Sequence, residues 1–205
     1  MEILFFLVIL IFSIIIHEVS HGYVAEMLGD KTARLAGRLT LNPAPHIDPL
    51  GSILVPAVML FGSAGQFAFG WAKPVPFNPY NLRNVRWGTL AVSIAGVAAN
   101  LLIAIIFGLL IRFHQEFGIT SLSFLQIIAT IVQLNLVLVI FNMIPVPPLD
   151  GAKVLFTLLP QRFQYIHDFL ERNWMIFIVF VIILAHYIIW PITTFLFGVI
   201  TGLNM

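Results

Sequence analysis

Four long apolar runs set the hydrophobic pattern of the chain. They lie near residues 3–28, 88–113, 122–144 and 174–203, and Pro191 interrupts the last one. Each run reaches the roughly 20 helical residues that are needed to cross a bilayer. Polar positions do not recur within them as they do in the one-sided helices of soluble domains. The pattern predicts an all-α polytopic membrane protein with about four to six transmembrane helices.

A fifth run, near residues 50–72, has a different pattern. It begins as PLGSILVPAVMLF, contains Pro56, and then breaks into GSAGQFAFGW. Such a broken segment is typical of a re-entrant element that lines a cavity. The Pro-rich stretch WAKPVPFNPYN follows it and predicts an extended segment or a β-hairpin at the membrane. We expect a single domain over residues 1–205, without internal repeats.

Composition excludes several classes of protein. Hydrophobic residues make up 60% of the chain, charged residues make up 9%, and the mean hydropathy is +1.02, so a soluble domain is excluded. The net charge of +1 and the lack of a basic arm exclude a nucleic-acid partner. Because the chain has no cysteine, a metal site has to use histidine and carboxylate ligands. The first apolar run lacks a basic region before it and is expected to be a retained helix.

The positions of lysine and arginine predict the topology. Basic residues in short loops favour the cytoplasmic side. If the first run crosses inward and the run at 50–72 does not cross, Arg112 alone lies outside. The cytoplasmic side then carries Lys31, Arg34, Arg38, Lys73, Arg83, Arg86, Lys153, Arg162 and Arg172.

The first run contains the sequence HEVSH, from His17 to His21. A helix turns about 100° and rises about 1.5 Å per residue, so these two histidines lie on one face and can bind one metal ion. Glu18 lies beside that metal and can act as a general base toward water, whose pKa zinc lowers. The motif predicts a zinc hydrolase.

A hydrogen-bonded cluster of these side chains without metal is the alternative interpretation. Unpaired ionisable residues inside a membrane cost on the order of 3 kcal/mol each, so three in one helix favour a metal or a polar cavity. A third ligand is offered by Asp150, which follows the Pro-rich end of the run at 122–144. Asp150 and His21 share a side of the membrane only if the segment at 50–72 does not cross.

These motifs resemble the site-2 protease family of intramembrane zinc metalloproteases, in its compact branch without PDZ or CBS domains. Three elements carry the resemblance: HEVSH, SIAGVAAN at residues 93–100, and NMIPVPPLDG at residues 142–151. The second is similar to the family pattern A-G-P-x-x-N, with Val97 in place of proline. The third is similar to N-x-x-P-x-P-x-L-D-G.

The resemblance implies Zn²⁺ bound by His17, His21 and Asp150, with Glu18 as the general base. It implies cleavage of peptide bonds in or near transmembrane segments, as in regulated intramembrane proteolysis. It also implies that FGWAKPVPF is a membrane-associated hairpin that binds an unwound substrate. The substrate-binding residues are then Asn142, Phe69, Gly70 and Trp71.

Four further polar residues have two interpretations each. Asn100 matches the family asparagine near the scissile carbonyl, where an amide can stabilise an oxyanion, but asparagine in membrane helices also bonds neighbouring helices. Asn142 has the same ambiguity. His46 and Asp48 are either a turn and capping pair or a metal or gating pair.

The second functional interpretation is a catalytically inactive metal-binding membrane protein or a metal transporter. A transporter carries ionisable residues along a path through the membrane, whereas here they cluster at one depth. The expected partners are therefore the lipid bilayer and a transmembrane protein or peptide substrate. We expect an integral, multi-pass protein of a prokaryotic plasma membrane, with the site nearer the cytoplasmic side. The sequence leaves the oligomeric state open.

Overall fold

The computed structural model describes residues 2–62 and 70–203. Within these residues, eight α-helices follow one another: α1 Glu2–Met27, α2 Thr32–Leu35, α3 Val55–Gly62, α4 Val85–Arg112, α5 Leu122–Asn142, α6 Asp150–Leu158, α7 Gln164–Arg172 and α8 Trp174–Thr201. Short helical turns lie at Ala44–His46, Pro49–Leu54, Pro79–Asn81 and Gln161–Phe163. No β-strand occurs in this part of the chain, so the all-helical prediction is confirmed there.

Among the residues that the structure describes, three helices are long and apolar enough to cross a membrane. They are Leu4–Met27 within α1, the whole of α4 and the whole of α5. Most of their side chains are not buried within the protein: between 22% and 39% of each apolar window is buried. Apolar side chains are exposed on these helices, among them Phe5 at 50% and Leu102 at 58%, as is expected of helices that lie in lipid.

The centre of the bundle is α4, which packs against α1, α5, α6 and α8. A buried cluster joins α4, α5 and α8 through Ala104, Ile111, Ile128, Val132, Leu136 and Phe197. Small residues on α4 permit close approach, since a side chain at Gly108 would overlap Ile200 of α8.

Two apolar runs form shorter or interrupted helical segments. The stretch Pro49–Gly62 is helical but only about 21 Å long at 1.5 Å per residue, which is less than the roughly 30 Å hydrocarbon core. The fourth predicted run forms α8, and Pro191 lies inside this helix. The number of spans beyond three therefore stays a prediction.

The predicted β-hairpin is not confirmed. Residues 70–78 are extended, but they contact the loop at 46–51 through single hydrogen bonds instead of a paired strand. Proline at positions 74 and 76 removes two backbone N–H groups, and this limits regular strand pairing. Phe69 and the first part of the predicted hairpin lie outside the described residues.

A buried carboxylate connects the end of α1 to the loop that precedes α4. Asp30 accepts hydrogen bonds from the Asn78 amide at 2.6 Å and the Asn81 side chain at 2.9 Å, and it also bonds Thr32. Burial alone would raise the pKa of Asp30, but these hydrogen bonds outweigh it and hold the pKa below its usual value. The loop that follows residue 70 is thereby fixed at the same end of the bundle as His21.

Candidate metal centre

Helix α1 places two histidine rings on one face, one turn apart. His17 and His21 are 5% and 7% exposed, and their Nε2 atoms lie 3.1 Å apart. The Nδ1 atom of His21 is 2.6 Å from the carbonyl oxygen of Val92 on α4. That hydrogen bond assigns the proton of His21 to Nδ1, so Nε2 is free to act as a metal ligand.

The third group is Asp150, the first residue of α6. Its Oδ2 atom lies 3.0 Å from Nε2 of His17 and 3.1 Å from Nε2 of His21. Close packing brings α6 there, since a side chain at Gly151 would overlap the backbone of Met143 at the end of α5. The two helices are thus close enough to place Asp150 over α1.

The three atoms fit a zinc ion. Zinc with tetrahedral ligands at about 2.0–2.1 Å requires ligand atoms about 3.3 Å apart. The three ligand atoms of His17, His21 and Asp150 are 3.0–3.1 Å apart and are all buried. Two imidazoles and one carboxylate are also the ligand set of several zinc hydrolases.

The surroundings of Asp150 favour its anionic form. Burial by itself raises the pKa of this carboxyl, but its contacts with the His17 and His21 imidazoles and the charge of Lys153 hold the pKa well below its usual range. The Nζ atom of Lys153 lies 3.3 Å from Oδ1. One carboxylate oxygen therefore faces the histidines while the other contacts an ammonium group.

Glu18 lies beside the three ligand groups and is not one of them. Its Oε2 atom accepts a hydrogen bond of 2.9 Å from the backbone N–H of Val75, in the extended segment 70–78. Glu18 lines a cavity of about 110 Å³ that is also lined by all three ligand residues. The carboxylate therefore faces the same space as the candidate metal ligands.

Several lining residues of this cavity were not predicted from the sequence. They are Pro74, Val75, Phe77, Val92, Ser93, Pro148 and Lys153. Lys153 could have been found by its position three residues after Asp150, on the same face of α6. Val75 has no sequence signal, because its contribution is a backbone N–H.

The other predicted residues lie at different distances from the cavity. Asn142 lines it, and its Nδ2 atom donates to the Leu138 carbonyl within α5. Asn100 is fully buried and is not among the lining residues. Gly70 and Trp71 pack against the turn at Gly51 instead. Their roles stay predictions.

His46 and Asp48 make the contacts of a turn and a cap. The Nε2 atom of His46 is 2.9 Å from the Thr40 carbonyl, and Asp48 accepts from the indole of Trp71 at 2.8 Å and from the Leu50 amide. Neither residue lies with the three ligand groups. These contacts favour the turn interpretation.

Comparison with known proteins identifies relatives along most of the chain. A family model described as Peptidase family M50 matches residues 111–186, which include Asp150. YwhC of Bacillus subtilis is 39% identical over 195 residues, which cover 91% of this chain and 84% of YwhC. No solved structure matches the chain.

Two further relatives are longer proteins. Rip2 of Mycolicibacterium smegmatis is 32% identical over 68% of this chain and 51% of its own length. The zinc metalloprotease MJ0392 of Methanocaldococcus jannaschii is 24% identical over 78% of this chain and 35% of its own length. This chain thus spans about half the length of Rip2 and about a third of the length of MJ0392. YwhC and Rip2 are provisionally named as zinc metalloproteases.

The identity to YwhC extends across most of both proteins, and the family model matches the segment that carries the third candidate ligand. The resemblance seen in the sequence motifs is therefore confirmed. The chain belongs to peptidase family M50, the site-2 protease family.

Proposed function

We propose that this protein is an intramembrane zinc metalloprotease that hydrolyses peptide bonds in or near the transmembrane segments of membrane proteins. The observation that supports it is the convergence of His17, His21 and Asp150 within 3.0–3.1 Å, beside Glu18 and among apolar helices. The names of YwhC, Rip2 and MJ0392 support zinc as the metal.

The residues divide the chemistry between them. His17, His21 and Asp150 hold the ion, which when bound supplies Lewis acidity and a lowered pKa for water. Glu18 takes a proton from the attacking water and returns it to the leaving amine nitrogen. The new carbon–oxygen bond and the broken carbon–nitrogen bond leave a carboxylate and a free amine.

Lys153 and Asn142 are the groups proposed to orient the substrate. Both line the cavity, and the ammonium group of Lys153 can stabilise negative charge that develops on the carbonyl oxygen. Lys153 is 45% exposed in its side chain, so it remains accessible while it contacts Asp150.

Substrate pairing with residues 70–78 is part of the proposal. The N–H groups of Trp71 and Lys73 already bond Gly51 and His46, and that of Val75 bonds Glu18. The opposite edge of an extended segment belongs to the even-numbered residues. Two of the even-numbered residues, Pro74 and Pro76, have no backbone N–H. A substrate strand on that edge therefore meets only their carbonyl groups, which act as hydrogen-bond acceptors.

The test combines metal content with cleavage of a transmembrane substrate, both on detergent-purified protein. We expect Glu18→Gln to keep stoichiometric zinc and to lose cleavage by roughly a hundredfold or more, because the base is gone and the ligands remain. His21→Ala and Asp150→Ala should lose both zinc and cleavage.

His114→Ala is the matched control, since this histidine lies beyond the other end of α4 and contacts the Ile111 carbonyl. It should keep both properties. Cleavage by Glu18→Gln at the wild-type rate would remove Glu18 from the mechanism. Zinc binding without any cleavage in the wild type would favour a metal-binding protein or a transporter.

A further inference from the structure

The two candidate metal-binding histidines differ in what their second ring nitrogen contacts. The Nδ1 atom of His21 has the Val92 carbonyl at 2.6 Å. The Nδ1 atom of His17 is buried and has no hydrogen-bond partner among residues 2–62 and 70–203. A ligating histidine normally donates its other N–H to a carboxylate, a carbonyl or water, and this bond fixes the ring. His17 therefore has no group in that role within the part of the chain that the structure describes.

The space beside His17 is bounded by α4. A Cβ atom at Gly96 would lie 2.6 Å from Nδ1 and Cε1 of His17. The antiparallel packing of α1 on α4 places His21 beside Val92 and His17 beside Gly96. The same antiparallel register continues by four residues, toward the N-terminus of α1 and the C-terminus of α4. It brings Ser13 and Asn100 to one level.

That level of the bundle is polar although it is fully buried. Asn100 and Asn135 are 0% exposed and Ser13 is 4% exposed. The Nδ2 atom of Asn135 donates to Ser13 Oγ at 3.0 Å and to the Ile131 carbonyl at 2.9 Å. The register and this hydrogen bond thus place polar residues of α1, α4 and α5 at one level, one helical turn from His17 toward the N-terminus of α1.

This polar level has unused hydrogen-bonding capacity. Both amide atoms of Asn100 and Oδ1 of Asn135 are buried and have no hydrogen-bond partner within the described chain. Buried polar groups in proteins are nearly always paired with protein or with ordered water. One donor and two acceptors here, together with Nδ1 of His17, offer the two to four partners that a buried water requires.

We propose that Asn100, Asn135 and Ser13 bind ordered water inside the bundle, and that this water accepts the Nδ1–H of His17. The proposal rests on the metalloprotease function, since it assigns Nε2 of His17 to the metal. Asn100 is then a positioning residue that acts through water on a metal ligand. It does not contact the scissile carbonyl, in agreement with its absence from the cavity lining.

The test measures Co²⁺ affinity and the visible absorption of bound Co²⁺ in detergent-purified protein. Asn100→Leu and Asn135→Leu keep the branched shape of the side chain, although leucine is bulkier, and remove the hydrogen bonds to water. We expect each to weaken Co²⁺ binding roughly 10–100-fold and to shift the absorption bands, as removing an outer-shell partner does. Asn100→Ser keeps a polar group and should restore much of the affinity.

Thr193→Val is the matched control. Thr193 is 1% exposed in α8, and its hydroxyl also has no partner in the described chain, but it is not a neighbour of His17 in the register above. It should bind Co²⁺ as the wild type does. Apparent melting temperatures of all variants separate loss of folding from loss of metal affinity.

Two outcomes would overturn the proposal in different ways. Wild-type affinity and spectra in both Asn100→Leu and Asn135→Leu would reject the water-mediated contact and leave the metalloprotease function intact. A wild-type protein that binds no Co²⁺ and no zinc would reject both together. An equal loss of Co²⁺ affinity in Thr193→Val would show that any buried substitution weakens binding through packing. That outcome would reject the positioning role of Asn100.

Discussion

Glycine at position 96 is required by the histidines and not by its own backbone. No left-handed conformation is present there, but a Cβ atom would lie 2.6 Å from His17 and from Nε2 of His21. Real Cβ atoms do not come this close to ring atoms, so one of the rings would have to move. Glycine is needed here because the absence of a side chain leaves room for the two imidazole rings.

We therefore expect Gly96→Ala to weaken metal binding. Overpacking of this kind costs about 1–3 kcal/mol, which corresponds to roughly a 5- to 150-fold loss in zinc affinity if the strain falls on the ligands. Competition with a chromophoric chelator measures this directly.

Gly62→Ala is the control, because no atom of the residues that the structure describes lies within 4 Å of the position that its Cβ would take. It should leave the affinity unchanged. If Gly96→Ala bound zinc as tightly as the wild type, the close packing of α4 on the histidine rings would be irrelevant to the metal site.

Among the elements, the extended segment 70–78 depends on contacts from outside itself. Its Lys73 donates its N–H to the His46 carbonyl at 2.9 Å and accepts from Arg38 Nη2 at 2.6 Å. Arg38 is 7% exposed, so this hydrogen bond to a charged group is largely removed from water. The segment in turn holds Glu18 through the Val75 amide.

Arg38→Met should loosen this segment without removing the metal. A buried hydrogen bond to a charged group contributes about 1.5–3 kcal/mol, so we expect amide exchange of residues 71–75 to accelerate roughly tenfold or more. Hydrogen exchange followed by mass spectrometry measures it, while zinc content should stay at the wild-type value.

Arg162→Met provides the comparison, because Arg162 is exposed and lies over the Phe163 ring far along the chain. Its exchange pattern over residues 71–75 should match the wild type. Unchanged protection in Arg38→Met would show that the loop at 46–51 holds the segment alone.

At the scale of the whole molecule, the charges are distributed unequally between the two ends of the bundle. Arg112, at the end of α4, donates to the Val199 carbonyl of α8. Arg86, at the start of α4, donates to carbonyls at the end of α6, which is the helix of Asp150. The metal site is thus nearer the end that carries most basic residues, which favours its placement toward the cytoplasm.

Single cysteines test this orientation, since the chain has none of its own. Gln115→Cys lies in the exposed connection between α4 and α5, and Tyr165→Cys lies on α7 at 68% exposure. In intact cells, a membrane-impermeant maleimide should label the first and not the second. Tyr165→Cys should react once the membrane is opened. The reverse pattern would place the metal site nearer the outer surface.

The sequence by itself determined the features that depend on local physics. A continuous apolar run must satisfy its backbone within one helix when it lies in lipid, so α1, α4 and α5 follow from composition and length. The spacing of His17 and His21 puts both on one helical face for the same local reason. Asp150 could be proposed as a ligand because a Pro-rich break marks an irregular, cavity-lining backbone.

Only the tertiary structure decided which distant groups meet. The contact of His17 with Asp150 joins residues 133 positions apart, and it depends on the close approach of α6 to the end of α5 at Gly151. The Val75 amide reaches Glu18 through a backbone group that no side-chain pattern marks. Asn100 has the same sequence signal whether it faces a substrate or a buried polar level, and helix register alone separates the two.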